Sequence, residues 1–236
     1  ITVSDNICYS GVADIFRLPK FSLSFFRTQI AEGSMLPSGK MPYEVFIPAY
    51  RDEILSDTVM VYGNVDEVEL VLNGKTIRRQ TADKGPDSDY IPVPNGGNGK
   101  NLHFPPFTFY GVPKERGVLK AVGYHQGKKV AEYTVKTPGV PERLDITYFE
   151  SGKPATKNDL LIVYVRMLDK QGVLCPVNGI PVELSVQGGE IVGPTSYPLE
   201  AGVASFLVRT GEISKININA TGKGFSTRKS LKVGRE

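Results

Sequence analysis

The side chains able to do chemistry are few, and their spacing serves little of it. Asp83, Asp87 and Asp89 stand close together, and the alternate spacing of the last two resembles loops that gather carboxylates around calcium. Their setting, KGPDSDYIPVPNGGNGKN, is made of turn residues, so one long, solvated and mobile loop from Lys84 to Asn101 is the better reading. The GGNGKN stretch in it could cradle phosphate only if a helix opened directly after it, and Pro105 and Pro106 in HFPPF stop that helix. His103 and His125 lack metal-ligand spacing, and no nucleophile motif accompanies either. Cys8 and Cys175, far apart in the chain, read as free, small apolar residues rather than a disulfide. Hydrolysis of a glycosidic bond needs two carboxylates about 5–10 Å apart across a cleft. Asp and Glu are plentiful here, yet none sits in a recognisable acid or nucleophile motif. On residues alone the chain is non-catalytic, without a metal site or a cofactor.

Charge and hydropathy remove further classes. A net charge of +3, with Lys and Arg scattered along the chain, gives nucleic acid no electrostatic footprint. No apolar run is long enough to span a membrane as a helix. Asn219-Ala220-Thr221 matches the glycosylation pattern, but its alternation with Ile216 and Ile218 explains it as the outward face of a strand.

The elements that would carry these residues are almost all strands. In VDEVELVLNGKTIRRQ, Val68, Leu70 and Leu72 point one way and Glu67 and Glu69 the other, and Asn73-Gly74 supplies the positive-φ pair of a type I′ hairpin turn. GVLKAVGYHQGKKVAEYTV repeats the device around Gln126-Gly127. TPGVPE, residues 137–142, reads as a stiff linker. A second series follows, from RLDITYFE to FSTRKSLKV, with turns at Asp169-Lys170-Gln171-Gly172, Gly188-Gly189 and Gly222-Lys223-Gly224. No helix-period segment interrupts either series, which excludes a parallel βαβ sheet. The one helix, from about Pro19 to Ala31, precedes them, with Leu18, Phe21, Phe25 and Phe26 expected on one face and Ile30 at its edge.

The segment before that helix, YSGVADIFRLPKFSLSFFRTQ, carries Tyr9, Gly11, Val12, Asp14, Phe16, Arg17, Pro19 and Lys20 in the pattern Y-x-G-V-x-D-x-F-R-x-P-K. It resembles the end of the catalytic barrel in glycoside hydrolase family 2, the β-galactosidase group, where such a segment follows the eighth strand and leads into the last barrel helix. VDEVELVLNGKTI and GVLKAVGYHQGKKVAEYTVKTPG resemble the sandwich domain that follows the barrel in many of these enzymes. The remainder, from PERLDITYFE through VRMLDKQGVLCPVNGIPVELSV, resembles the immunoglobulin-like domain that often ends them, although many adhesins share its D-x-x-G pattern.

The resemblance implies a mainly β fold: two immunoglobulin-like β-sandwich domains, 41–137 and 138–236, preceded over 1–40 by one helix left over from a (β/α)8 barrel. It implies the non-catalytic C-terminal accessory region of an enzyme of carbohydrate metabolism that hydrolyses terminal β-galactosides with retention. Such an enzyme would be periplasmic or extracellular. The two catalytic glutamates of the family would lie upstream of Ile1, so this chain by itself is expected to be inactive. Its partners would be the upstream barrel and the carbohydrate substrate. If Ile1–Val3 ends the eighth strand, Ser4 to Tyr9 is a strand-to-helix loop on the active-site face. Asp5, Asn6 and Tyr9 would then line the rim of the substrate cleft; that they only cap and space the helix stays open. Without its barrel the apolar helix is expected to dock on the first sandwich or on a second copy of the chain, a dimer induced by truncation. Two other readings remain. A carbohydrate-binding module would use Tyr90, Phe107, Phe109, Tyr110, Tyr148 or Phe149, most of which core packing explains as well, and a structural or adhesive spacer would need no site.

Overall fold

Two hydrophobic cores organise the chain, each enclosed between two antiparallel sheets. The computed structural model describes residues 3–4, 7–8, 11–51, 56–83, 102–149 and 154–234, the first four by their backbone alone. The loop predicted from Lys84 to Asn101 lies outside the described residues, as do Asp87, Asp89 and Tyr90. The chain divides into two compact units, Ile1–Thr137 and Pro138–Glu236.

The first unit runs β1 (Val3–Ser4), β2 (Ile7–Cys8), α1 (Phe21–Thr28), β3 (Met35–Leu36), β4 (Gly39–Lys40), β5 (Val45–Phe46), β6 (Val59–Gly63), β7 (Glu67–Leu72), β8 (Lys75–Thr81), β9 (Phe107–Phe109), β10 (Val118–His125) and β11 (Lys128–Lys136). Its sandwich packs the sheet β11-β10-β7-β8 on the sheet β5-β6-β9. The alternation in β7 holds: Val68, Leu70 and Leu72 are buried with Phe107, Phe109 and Leu119, while Glu67 and Glu69 face out. The hairpin turns have the expected backbone, with φ of 51° at Asn73 and 80° at Gly74, and 48° at Gln126 and 75° at Gly127.

Asn73 has a second role that spacing did not show. Its side chain accepts from Val118 N at 2.9 Å and donates to Arg116 O at 3.1 Å, clamping the segment that enters β10. Gly117 makes room for it: φ there is +133°, and a Cβ would lie 1.9 Å from Asn73 Oδ1. Gly117→Ala should therefore lower stability by about 1–3 kcal/mol through backbone strain and loss of the clamp. A urea midpoint unchanged from the parent would contradict it.

The second unit comprises β12 (Arg143–Tyr148), β13 (Leu160–Leu168), β14 (Pro181–Gln187), β15 (Gly189–Ile191), β16 (Ser196–Pro198), β17 (Val203–Thr210), β18 (Lys215–Gly222) and β19 (Phe225–Lys232). The sheets β12-β13-β17-β15 and β16-β14-β18-β19 enclose Ile146, Val163, Val165, Met167, Val182, Phe206, Ile216 and Ile218. Both units are thus immunoglobulin-like β-sandwiches. Asn219 stands on the outward face of β18, between the buried Ile218 and Ala220.

The N-terminal segment departs from expectation in three ways. Val3–Ser4 pairs with Ile7–Cys8 in a short antiparallel ladder, so a loop does not occupy all of Ser4 to Tyr9; β-branched Val3 and Ile7 favour extended backbone, whose polar groups pair locally. The helix is shorter than Pro19–Ala31. Asp14 Oδ1 holds the N–H groups of Phe16 and Leu18 at 2.8 Å each, and Arg17 at φ 63° closes a turn, so the helix opens only after Lys20. At its other end the side chain of Gln29 and the carbonyl of Ile30 bond to the sandwich instead of extending the helix. Finally, the aromatic stripe is split: Phe21 and Phe25 pack on the sandwich, whereas Phe26, one residue round the helix, is 56% exposed.

Candidate functional site

Asp5, Asn6 and Tyr9 lie outside the described residues. What the structure does place is the surface on which α1 rests. The Phe21 ring meets Phe46 edge-on at 5.6 Å and Tyr50 at 4.8 Å, and Phe25 meets Tyr62 edge-on at 5.0 Å. Arg27 pairs with Glu44. Gln29 bonds both ways with the backbone of Phe104, accepting at 3.1 Å and donating at 3.0 Å.

Beside Phe21 opens a cleft of about 400 Å³, bordered by Ile47, Tyr50, Arg51, Thr58 and Met60. Arg51 is only 5% exposed, its Nη2 donates to Glu115 O at 2.5 Å, and burial lowers its pKa. Among the described residues no carboxylate or imidazole lines the cleft.

The carboxylates best placed to act together, Glu67 and Glu69 on the outer face of β7, are already engaged. Glu67 pairs with Arg79, and Glu69 accepts from the hydroxyls of Thr76 at 2.6 Å and Tyr124 at 2.7 Å. Those hydroxyls hold Glu69 below the usual carboxylate range, and the same bond to Glu69 raises Tyr124. Glu69 is therefore a standing anion on an open sheet, not a proton donor across a cleft. The Arg79 guanidinium lies 3.7 Å over the Tyr124 ring, covering the face on which a sugar could stack. His125 is taken up by Asp66 at 3.1 Å and by stacking on Tyr43. Among the described residues no three His, Cys, Asp or Glu side chains are grouped to hold a metal ion.

The aromatics considered for sugar binding divide the same way. Phe107 and Phe109 are fully buried, and Tyr148 packs against the second core. Tyr110 is 42% exposed. Cys175 is a free, buried thiol; of the Cys8 side chain nothing is described. One surface escaped the sequence reading: the cations of β18 and β19 gather on a single hairpin. Its signal was the absence of Asp and Glu from Ile213 to Gly234.

A family profile described as a domain of unknown function, DUF4982, matches residues 56–131. The chain is 33% identical over 218 residues to a beta-galactosidase of Thermoanaerobacter pseudethanolicus, a match covering 87% of this chain and 27% of that protein. With a beta-galactosidase of Rhizobium radiobacter it shares 30% identity over 129 residues, covering 54% of this chain and 92% of the relative. Among solved structures, a beta-glucuronidase from glycoside hydrolase family 2 shares the fold at a TM-score of 0.75 and 22% identity, over 96% of this chain and 23% of that one. The chain belongs to glycoside hydrolase family 2. It spans about a quarter of the length of the Thermoanaerobacter relative. Among the described residues no helix is long and apolar enough to cross a membrane.

Proposed function

We propose that this chain is the non-catalytic C-terminal accessory region of a secreted glycosidase that acts on terminal β-galactosides, and that its first unit braces the preceding catalytic barrel, of which α1 is the last helix. The observation that carries this reading is the division of labour around α1. One side grips the sandwich through Phe21 and Phe25, while Phe26, 56% exposed, and Ile15, 70% exposed, stay uncovered. A helix held on one face and apolar on another suits an element placed between two bodies. The engaged state of Glu67 and Glu69 supports a supporting rather than a catalytic role.

The purified chain should release no chromophore from a chromogenic β-galactoside, whereas the chain joined to its preceding barrel should. In the longer enzyme Phe26→Asp should lower the temperature of inactivation and leave the unfolding of the shorter chain unchanged. Turnover by the shorter chain, lost on substituting one of its own carboxylates, would overturn the reading.

A further inference from the structure

The register of the second unit lays out an unusual surface. On β18 and β19 the residues directly opposite one another are Lys215 and Lys232, Asn217 and Ser230, Asn219 and Arg228, and Thr221 and Ser226. Asn217 and Asn219 in turn face Gln187 and Ser185 on β14. The alternate residues, Ile216, Ile218 and Ala220, are fully buried in the core, so these rows form the outer face. It is a field of amides and hydroxyls with cations at intervals; Glu183, opposite Thr221, and Pro181 stand only at its far end on β14, away from Lys215 and Lys232.

Two features make the charge notable. From Ile213 to Gly234 the sequence holds Lys215, Lys223, Arg228, Lys229 and Lys232 and no acidic residue. None of the five forms an ion pair among the described residues, where every pair involves other cations. Lys215 and Lys232 stand directly opposite each other, an arrangement that weakens a sheet by repulsion. An anion lying across the hairpin would relieve it. Arg228 sits four residues from Lys232 along β19, about 13 Å away at strand rise, with the Asn217–Ser230 hydrogen bond at 2.7 Å between them.

We propose that the outer face of β18 and β19, with the Ser185 and Gln187 end of β14, binds an anionic polysaccharide, a chain bearing carboxylate or sulfate groups. The cations would meet the acid groups, and Gln187, Asn217, Asn219 and Ser230 would exchange hydrogen bonds with the sugar hydroxyls between them. Nucleic acid fits less well, because the face offers no aromatic ring on which bases could stack. A membrane surface fits less well still, since nothing apolar is there to insert. This binding is separate from galactoside turnover and does not depend on the role proposed above.

The test is affinity electrophoresis of the whole chain in gels containing polygalacturonate, a sulfated galactan, a neutral galactan or single-stranded DNA. Retardation by either acidic polysaccharide at about 50 mM salt, falling steeply by about 200 mM, is expected; which of the two retards more identifies the anion. Lys215→Gln/Arg228→Gln/Lys232→Gln should lose about tenfold in affinity, as three exposed charge contacts in the middle of their usual range would. Its melting temperature should be unchanged or higher, because the Lys215–Lys232 repulsion is gone. Lys40→Gln/Lys75→Gln/Lys128→Gln removes equal charge from the first unit and should lose less than about twofold. No retardation by either acidic chain, an equal loss in the control variant, equal retardation by neutral galactan, or DNA binding as strong as polysaccharide binding would each overturn the proposal.

Discussion

Asp169→Ala should destabilise the second unit by about 3–5 kcal/mol and lower its melting temperature by roughly 15 °C or more. Asp169 is 1% exposed, yet has no ion pair among the described residues. Its Oδ2 accepts from Gly139 N at 2.7 Å and its Oδ1 from Val173 N at 2.8 Å, and the N–H groups of Gln171 and Gly172 also point to it. The carboxylate is thus the hub of the turn that ends β13 and of the segment leading into β12. Deleting it leaves the N–H groups of Gly139, Val173 and Gln171 to find water, each costing about 1–3 kcal/mol where water cannot reach, whereas Gly172 N keeps the backbone carbonyl of residue 169 at 3.1 Å. Burial pushes its pKa up, but the four donors outweigh that and hold it below the ordinary value.

The sign of the pH dependence follows. A folded pKa below the unfolded value of about 4 gives stability that is complete above that value and is lost as pH falls through the folded one. Melting of the second unit should therefore drop in acid, and Asp169→Asn should remove that part of the drop while lying between parent and alanine variant near neutrality. Thermal melts from about pH 7 to pH 3 would show it. An alanine variant as stable as the parent would refute the hub role.

What was legible in the sequence was local and periodic. The alternation of Val68, Leu70 and Leu72 with two glutamates set a strand and its buried face, and Asn73-Gly74 and Gln126-Gly127 set the turns because only a few residues tolerate positive φ. What was not legible depends on partners distant in the chain. Asp169 reads as an ordinary turn residue until the fold brings Gly139 to it. The lysines of β18 and β19 look dispersed because strand register, which no window of sequence displays, puts Lys215 opposite Lys232. The stripe on α1 looked continuous because helical spacing alone cannot say how much of it a neighbour covers; a shallow sheet covers Phe21 and Phe25 and leaves Phe26.

Asn64→Ala should cost the first unit about 3 kcal/mol and free α1 from the sandwich. In sequence Asn64 is one polar residue in VYGNVDE, with nothing to mark it. In the structure it is 3% exposed and fully used. Its Oδ1 accepts from Glu44 N at 2.6 Å, and its Nδ2 donates to the carbonyls of Ile30 and Pro42 at 3.0 Å each. One side chain therefore joins the chain just past α1, the approach to β5 and the end of β6. Alanine would take the partner from two part-buried carbonyls and one N–H, and so would remove the anchor behind the ring contacts of Phe21 and Phe25. Asn64→Asp should be worse than alanine, because it sets a carboxylate against those two carbonyls. Phe26→Ser, at a side chain already 56% exposed, should stay within about 0.5 kcal/mol of the parent. Hydrogen exchange separates these cases: amides of Phe21–Thr28 should lose protection in Asn64→Ala, while those of β7 and β10 exchange faster only in proportion to the overall loss of stability. If α1 keeps its protection in Asn64→Ala, the aromatic contacts alone hold the helix and Asn64 is not its anchor.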